Sequence, residues 1–147
     1  MIVLDTDTVI YFLNGVKPVV QKAGEAGLQH LAVASPTLGE LYYGACRSQK
    51  KQANLTRVEE LAENIILLPI DREVCRRFGE LKAGLAGRVS ASGAPSAGVS
   101  DAGRGLPVGD VDTFIAATAL VHHATLVTHN TKHFNLFPGL RTEDWYV

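Results

Sequence analysis

The chain has 147 residues, of which 46% are hydrophobic and 20% charged, with a formal net charge of −1. This composition excludes a disordered chain and fits one ordinary globular domain, large enough to bury most of its apolar surface. The near-zero charge lacks the basic excess typical of nucleic-acid binders, so contact with nucleic acid has to come from a local patch or a bound cation.

The chain opens MIVLDTDTVIYFL. Residues 2–5 read as a buried strand ending in an acid, and residues 6–13 as a helix stopped by Asn14-Gly15. Asp5 and Asp7 interrupt the apolar run and no basic segment precedes it, so neither a signal peptide nor a membrane span is expected. Cys46 and Cys75 form no CxxC pair and no zinc set, and read as reduced thiols of a cytoplasmic protein.

A second helix is expected over 18–29, with proline in its first turn. The second strand is LAVA, residues 31–34. Ser35-Pro36 then opens a helix, serine as its cap, whose apolar stripe is Leu38, Leu41, Tyr42 and Ala45. Glu40 lies off that stripe. Another helix covers 50–64, a third strand 65–68, and Asp71 caps a helix reaching about Leu85. A helix over 111–122 leads into a fourth strand, ATLVTH, and GLRTEDW ends as a short strand or extended tail. Strands alternating with helices predict an α/β fold, a three-layer α/β/α sandwich around a mostly parallel sheet.

Between them lies GLAGRVSASGAPSAGVSDAGRGLPVG, residues 84–109, which carries half of the chain's 14 glycines. It reads as a flexible insertion centred on 86–106, either without a role of its own or as a lid carrying Arg88 and Arg104 towards an anionic substrate.

The acids gather where such a fold places ligands, at the carboxyl ends of parallel strands. Asp5 closes strand one, Glu40 lies in the helix after strand two, and Asp110 and Asp112 start the helix that feeds strand four. Each has a plain local reading. Asp110 suits a helix cap, Asp112 and Asp7 suit a first turn, and Glu40 suits a solvated face. Asp5 is harder to account for, because a buried unpaired carboxylate is costly. Together the carboxylates would repel one another unless a divalent cation neutralised them. An all-oxygen set suits Mg²⁺, with Mn²⁺ as a substitute, and points to phosphodiester hydrolysis. His122, His123, His129 and His133 form no zinc pattern and read as surface or loop histidines, although His129 adjoins the site.

The stretches IVLDTDTVIYFL, ASPTLGELYYGA, PVGDVDTFIAATAL, LVTHNTKHF and FPGLRTEDW, in this order, resemble a PIN domain, and more closely a VapC-type ribonuclease toxin of a toxin–antitoxin pair. The resemblance covers nearly the whole chain outside the glycine-rich insertion. It implies that Asp5 and Asp112 bind the metal and that Glu40 completes the catalytic acids. It also implies that Asn130 stands at a fourth position often held by aspartate, and that Thr6 and Thr128 support the site, with Asp110 an extra acid nearby. RNA rather than DNA, a homodimer, and a VapB-type antitoxin whose tail covers the site are likewise implied by resemblance. Tyr43 is the candidate for a protein interface, whereas Tyr42 belongs to the apolar stripe. The sequence departs from the family at Asp7, at the neutral Asn130 and in the length of the glycine-rich segment.

Two rivals stand beside the reading of a Mg²⁺-dependent endoribonuclease toxin. IVLDTDTVI also resembles the first motif of haloacid-dehalogenase phosphohydrolases, with Asp5 as nucleophile and Asp7 as acid/base, but the intervening motifs of that family are missing. The other rival is a PIN-fold binding module without catalysis.

Overall fold

Five short strands form the centre of the molecule in the computed structural model, which describes residues 1–91 and 106–147. They are β1 (Ile2–Leu4), β2 (Leu31–Ala34), β3 (Ile66–Leu68), β4 (Thr125–Val127) and β5 (Thr142–Glu143), in the order β3-β2-β1-β4-β5. Every pair is parallel, with Val3 opposite both Ala32 and Leu126.

The central strands β1 and β2 are apolar throughout because both faces are covered, and successive residues enter different cores. Val3, Ala32, Ala34 and Leu126 pack with Leu85, Ile115 and Phe134 on one face. Leu4, Leu31, Val33 and Val127 pack with Val9, Val19, Leu41 and Val58 on the other. The first layer comes from α5 (Arg72–Ala91), α6 (Asp110–Val121) and the short α7 (Thr131–Phe134). The second comes from α1 (Thr6–Leu13), α2 (Lys17–Ala26), α3 (Ser35–Arg47) and α4 (Lys51–Asn64). This is the expected α/β/α sandwich, with all described strand pairs parallel.

The chain winds outward from β1 through β2 to β3, then crosses to the far side of β1 to form β4. Connections therefore leave in opposite directions at β1 and β4, which opens a crevice beyond their carboxyl ends. Among the described residues no helix is long and apolar enough to cross a membrane. Cys46 and Cys75 are exposed and unbonded.

Three local expectations change. The second helix stops at Ala26 rather than Gln29, because Gly27 turns left-handed at φ 86° and Leu28–His30 follows as a 3-10 turn. Ser35 does not cap α3. Ala34 occupies that position, and the Ser35 hydroxyl instead accepts from the Ile70 amide at 3.1 Å and meets the Leu68 carbonyl at 3.3 Å, tying β2 to β3. Helix α5 continues past Leu85 to Ala91, into the stretch expected to be a flexible loop. Burial of Leu85, 1% exposed, outweighs the weak helix propensity of Gly84 and Gly87. The remainder of that insertion, 92–105, lies outside the described residues, as do the side chains a lid would use.

Candidate active site

Asp5 sits where β1 becomes α1. Its extended backbone, φ −76° and ψ 171°, lets the carboxylate turn back and accept the Thr8 amide at 2.9 Å, which caps the helix. Its own amide donates to the Val127 carbonyl at 3.1 Å, so the residue is pinned between β1 and β4. Only 4% of Asp5 is exposed. Burial pushes its carboxyl above the ordinary range; hydrogen bonds from Thr128 and Thr8 pull against that rise, and nearby Asp7 adds to it.

Asp112 reaches the same crevice from the first turn of α6, half-buried. Burial raises its carboxyl too, followed by the negative charges of Asp5, Glu40 and Asp7, while His133 opposes the rise. Acids from β1, α1, α3 and α6 thus share one electrostatic neighbourhood although they are far apart in sequence. Like charges held together at a strand-end crevice are unfavourable on their own, and such perturbed groups mark candidate functional sites.

Glu40 is exposed on α3, and its Oε1 accepts the Thr6 hydroxyl at 2.7 Å, with the Thr37 hydroxyl 3.3 Å from Thr6. That contact fixes one oxygen of an otherwise exposed carboxylate. Thr128, at the end of β4, serves two neighbours. Its hydroxyl hydrogen-bonds Asp5 and accepts the Asn130 amide at 2.9 Å. The Asn130 side chain in turn pairs with His133 Nδ1 at 2.8 Å.

Asp110 does not cap α6 as expected. Gly109 holds the cap position, and the Asp110 carboxylate lies 3.2 Å from Lys82 Nζ of α5. The lysine gives it an oppositely charged partner outside the acid cluster, so Asp110 contributes an ion pair between helices. His129 is likewise engaged, with Nδ1 2.9 Å from Asp144 Oδ2. Tyr43 stands 63% exposed on α3, its hydroxyl accepting from Arg47 at 2.9 Å.

The donor set at the crevice is all oxygen, which suits a hard cation. Among the described residues no three His, Cys, Asp or Glu side chains form a ready-made ligand group. A pair of carboxylates with water completing the shell is the usual habit of Mg²⁺, and Asp5 and Asp112 are oxygen donors of that kind.

The PIN domain signature matches residues 2–138. The chain belongs to the PIN domain family. It is 32% identical over 142 residues to the tRNA(fMet)-specific endonuclease VapC of Shigella flexneri, covering 97% of this chain and 96% of that one. It is 28% identical over 144 residues to ribonuclease VapC2 of Rickettsia felis, with the same coverage. The solved structure of DNA-bound VapBC from Salmonella typhimurium has a chain that superposes with a TM-score of 0.79 at 28% identity, covering 98% of this chain and 97% of that one. The PIN match spans IVLDTDTVI as well, so the haloacid-dehalogenase likeness of that motif gains no support.

Two members of the PIN crevice were not picked out as site residues from sequence. Asp7, which the sequence offers as a first-turn acid, a departure from the family pattern and the acid/base of the rival reading, bears on both Asp5 and Asp112. His133, by sequence a surface or loop histidine, lies on α7. The usable signal was its spacing in NTKH, which puts it one helical turn after Asn130 once α7 is recognised.

Proposed function

We propose that this PIN domain is a divalent-cation-dependent endoribonuclease and the toxin of a VapBC-type pair. The observation that carries the reading is the meeting of Asp5 and Asp112 at the carboxyl ends of β1 and β4, both carboxyls raised, with the charge of Glu40 bearing on Asp112. The VapC relatives extend that reading to RNA as substrate.

Asp5 and Asp112 hold the cation, Mg²⁺ or in its place Mn²⁺. When bound, it acidifies a water and offsets charge on the scissile phosphate. Thr6 orients Glu40, whose carboxylate takes the proton of the water that attacks phosphorus as the bond to the leaving ribose oxygen breaks, and solvent water protonates that oxygen. Thr128 holds Asp5 and Asn130 in register, and Asn130 with His133 borders the crevice beyond β4.

The partners follow the relatives, whose solved complexes are described as VapBC. A cleft lined by Ile10, Leu13, Glu40, Leu41, Arg57 and Val58, mostly apolar but sharing Glu40 with the acid cluster, suits a VapB-type tail. Tyr43 faces solvent on the same helix as Glu40 and belongs to that contact or to a homodimer. We place the protein in the cytoplasm.

The test is cleavage of a mixed structured-RNA pool with Mg²⁺, Mn²⁺ or EDTA, beside Asp112→Asn and a phosphomonoester substrate. Cutting that needs both metal and Asp112 is expected. Phosphomonoester turnover without RNA cutting, or RNA binding indifferent to metal and never followed by cutting, contradicts it.

A further inference from the structure

An aromatic cluster borders the acids on the side away from Glu40. Tyr11 comes from α1, His129 follows β4, and Tyr146 follows β5. The Tyr146 ring lies 4.7 Å from Tyr11 and 4.6 Å from His129, centroid to centroid, while Tyr11 and His129 are 6.3 Å apart. The rings pack at 48° and 41° to Tyr146 rather than face to face. Tyr146 is 42% exposed and the His129 side chain 43%.

The cluster is braced from beneath. Asp144 accepts the Tyr146 backbone amide at 2.9 Å through Oδ1 and pairs with His129 Nδ1 through Oδ2, which fixes the Tyr146 backbone and the His129 ring. It also adjoins the crevice. His129 lies between Thr128, which bonds Asp5, and Asn130. Burial raises the Tyr11 hydroxyl, and the charges of Asp7 and Asp5 raise it further, so the ring sits within reach of the acids. A braced set of rings beside a phosphodiester-cutting centre, with Tyr146 and His129 exposed and Tyr11 half-buried behind them, has the geometry on which unpaired bases stack.

We infer that Tyr11, His129 and Tyr146 form a stacking platform for one base of single-stranded RNA adjoining the cleaved phosphodiester, an inference that rests on the ribonuclease reading. The platform supplies apolar, sequence-tolerant contact where the chain's near-neutral charge offers little to the phosphate backbone.

The test uses labelled single-stranded RNA carrying one abasic site, moved position by position along the strand. Binding is read by fluorescence anisotropy in the Asp112→Asn background, with and without Tyr146→Leu, and cleavage is read separately with the otherwise unaltered protein. One abasic position is expected to weaken binding by roughly tenfold or more. Tyr146→Leu should weaken binding of the intact strand by a similar factor and add nothing to that abasic position, while Tyr146→Phe binds normally. An affinity indifferent to every abasic position, or no measurable binding, overturns the platform, and the abasic series needs no altered Tyr146 to say so. Unchanged RNA binding with a changed self-association of Tyr146→Leu would instead make the cluster a protein contact and also overturns it. Failure of the unaltered protein to cut RNA in metal counts against the ribonuclease reading, which the anisotropy measurement does not test.

Discussion

Asp5 and Asp71 do the same local job in two parts of the molecule. Each accepts an amide three residues ahead at 2.9 Å, Thr8 for one and Val74 for the other, and each thereby starts a helix. Their surroundings differ. Asp71 is exposed at the head of α5, whereas Asp5 is buried between β1 and β4 with Asp112, Asp7 and Thr128 around it. A helix cap is therefore compatible with either role, and a shared neighbourhood of acids from distant segments separates the two.

The largest effect that sharpens this contrast is on activity. Asp5→Asn keeps a capping side chain but removes the charge, and should lower RNA cleavage by at least about a hundredfold while the fold persists. Asp112→Asn should do the same. Asp71→Asn should leave cleavage unchanged, and an equal loss in Asp5→Asn and Asp71→Asn would break the distinction. Next comes the contact that orients Glu40. Thr6→Val should lower kcat by about 10- to 100-fold with little change in KM, and Thr6→Ser should restore it, as judged by steady-state cleavage of one RNA. The smallest effect is local stability. Asp71→Ala removes only a cap and should cost about 1 kcal/mol in urea unfolding with cleavage intact.

Much of the fold was legible because the physics is local and periodic. The apolar runs at 2–4, 31–34 and 125–127 announce strands buried on both faces, and Asp71 announces a cap. The continuation of α5 through Gly84 and Gly87 was not legible, because it depends on Leu85 finding Ile115 across the core. Ser35 and Asp110 looked like caps for the same reason that Asp71 is one. Their side chains are taken instead by Ile70 and Lys82, partners that only the packed chain brings near. Asp5, Glu40 and Asp112 could be named from motif order. The closeness of Asp7 and His133 to them depends on how α1 and α7 are turned at the crevice.

Thermal stability with and without Mg²⁺ tests the pairing of Asp5 and Asp112 most directly. Both carboxyls sit above their ordinary value when folded and return to it on unfolding. The folded chain thus holds the extra protons, and stability falls as pH rises from the ordinary carboxylate pKa through the raised values. In EDTA at pH 7, Asp112→Asn should melt above the unaltered protein, because it removes one charge from the cluster. Mg²⁺ at a hundredfold excess over its Kd should raise the unaltered protein by about 2.7 kcal/mol and leave Asp112→Asn nearly unmoved. If Asp112→Asn melts lower in EDTA and both proteins respond equally to Mg²⁺, the two aspartates do not form a cation site.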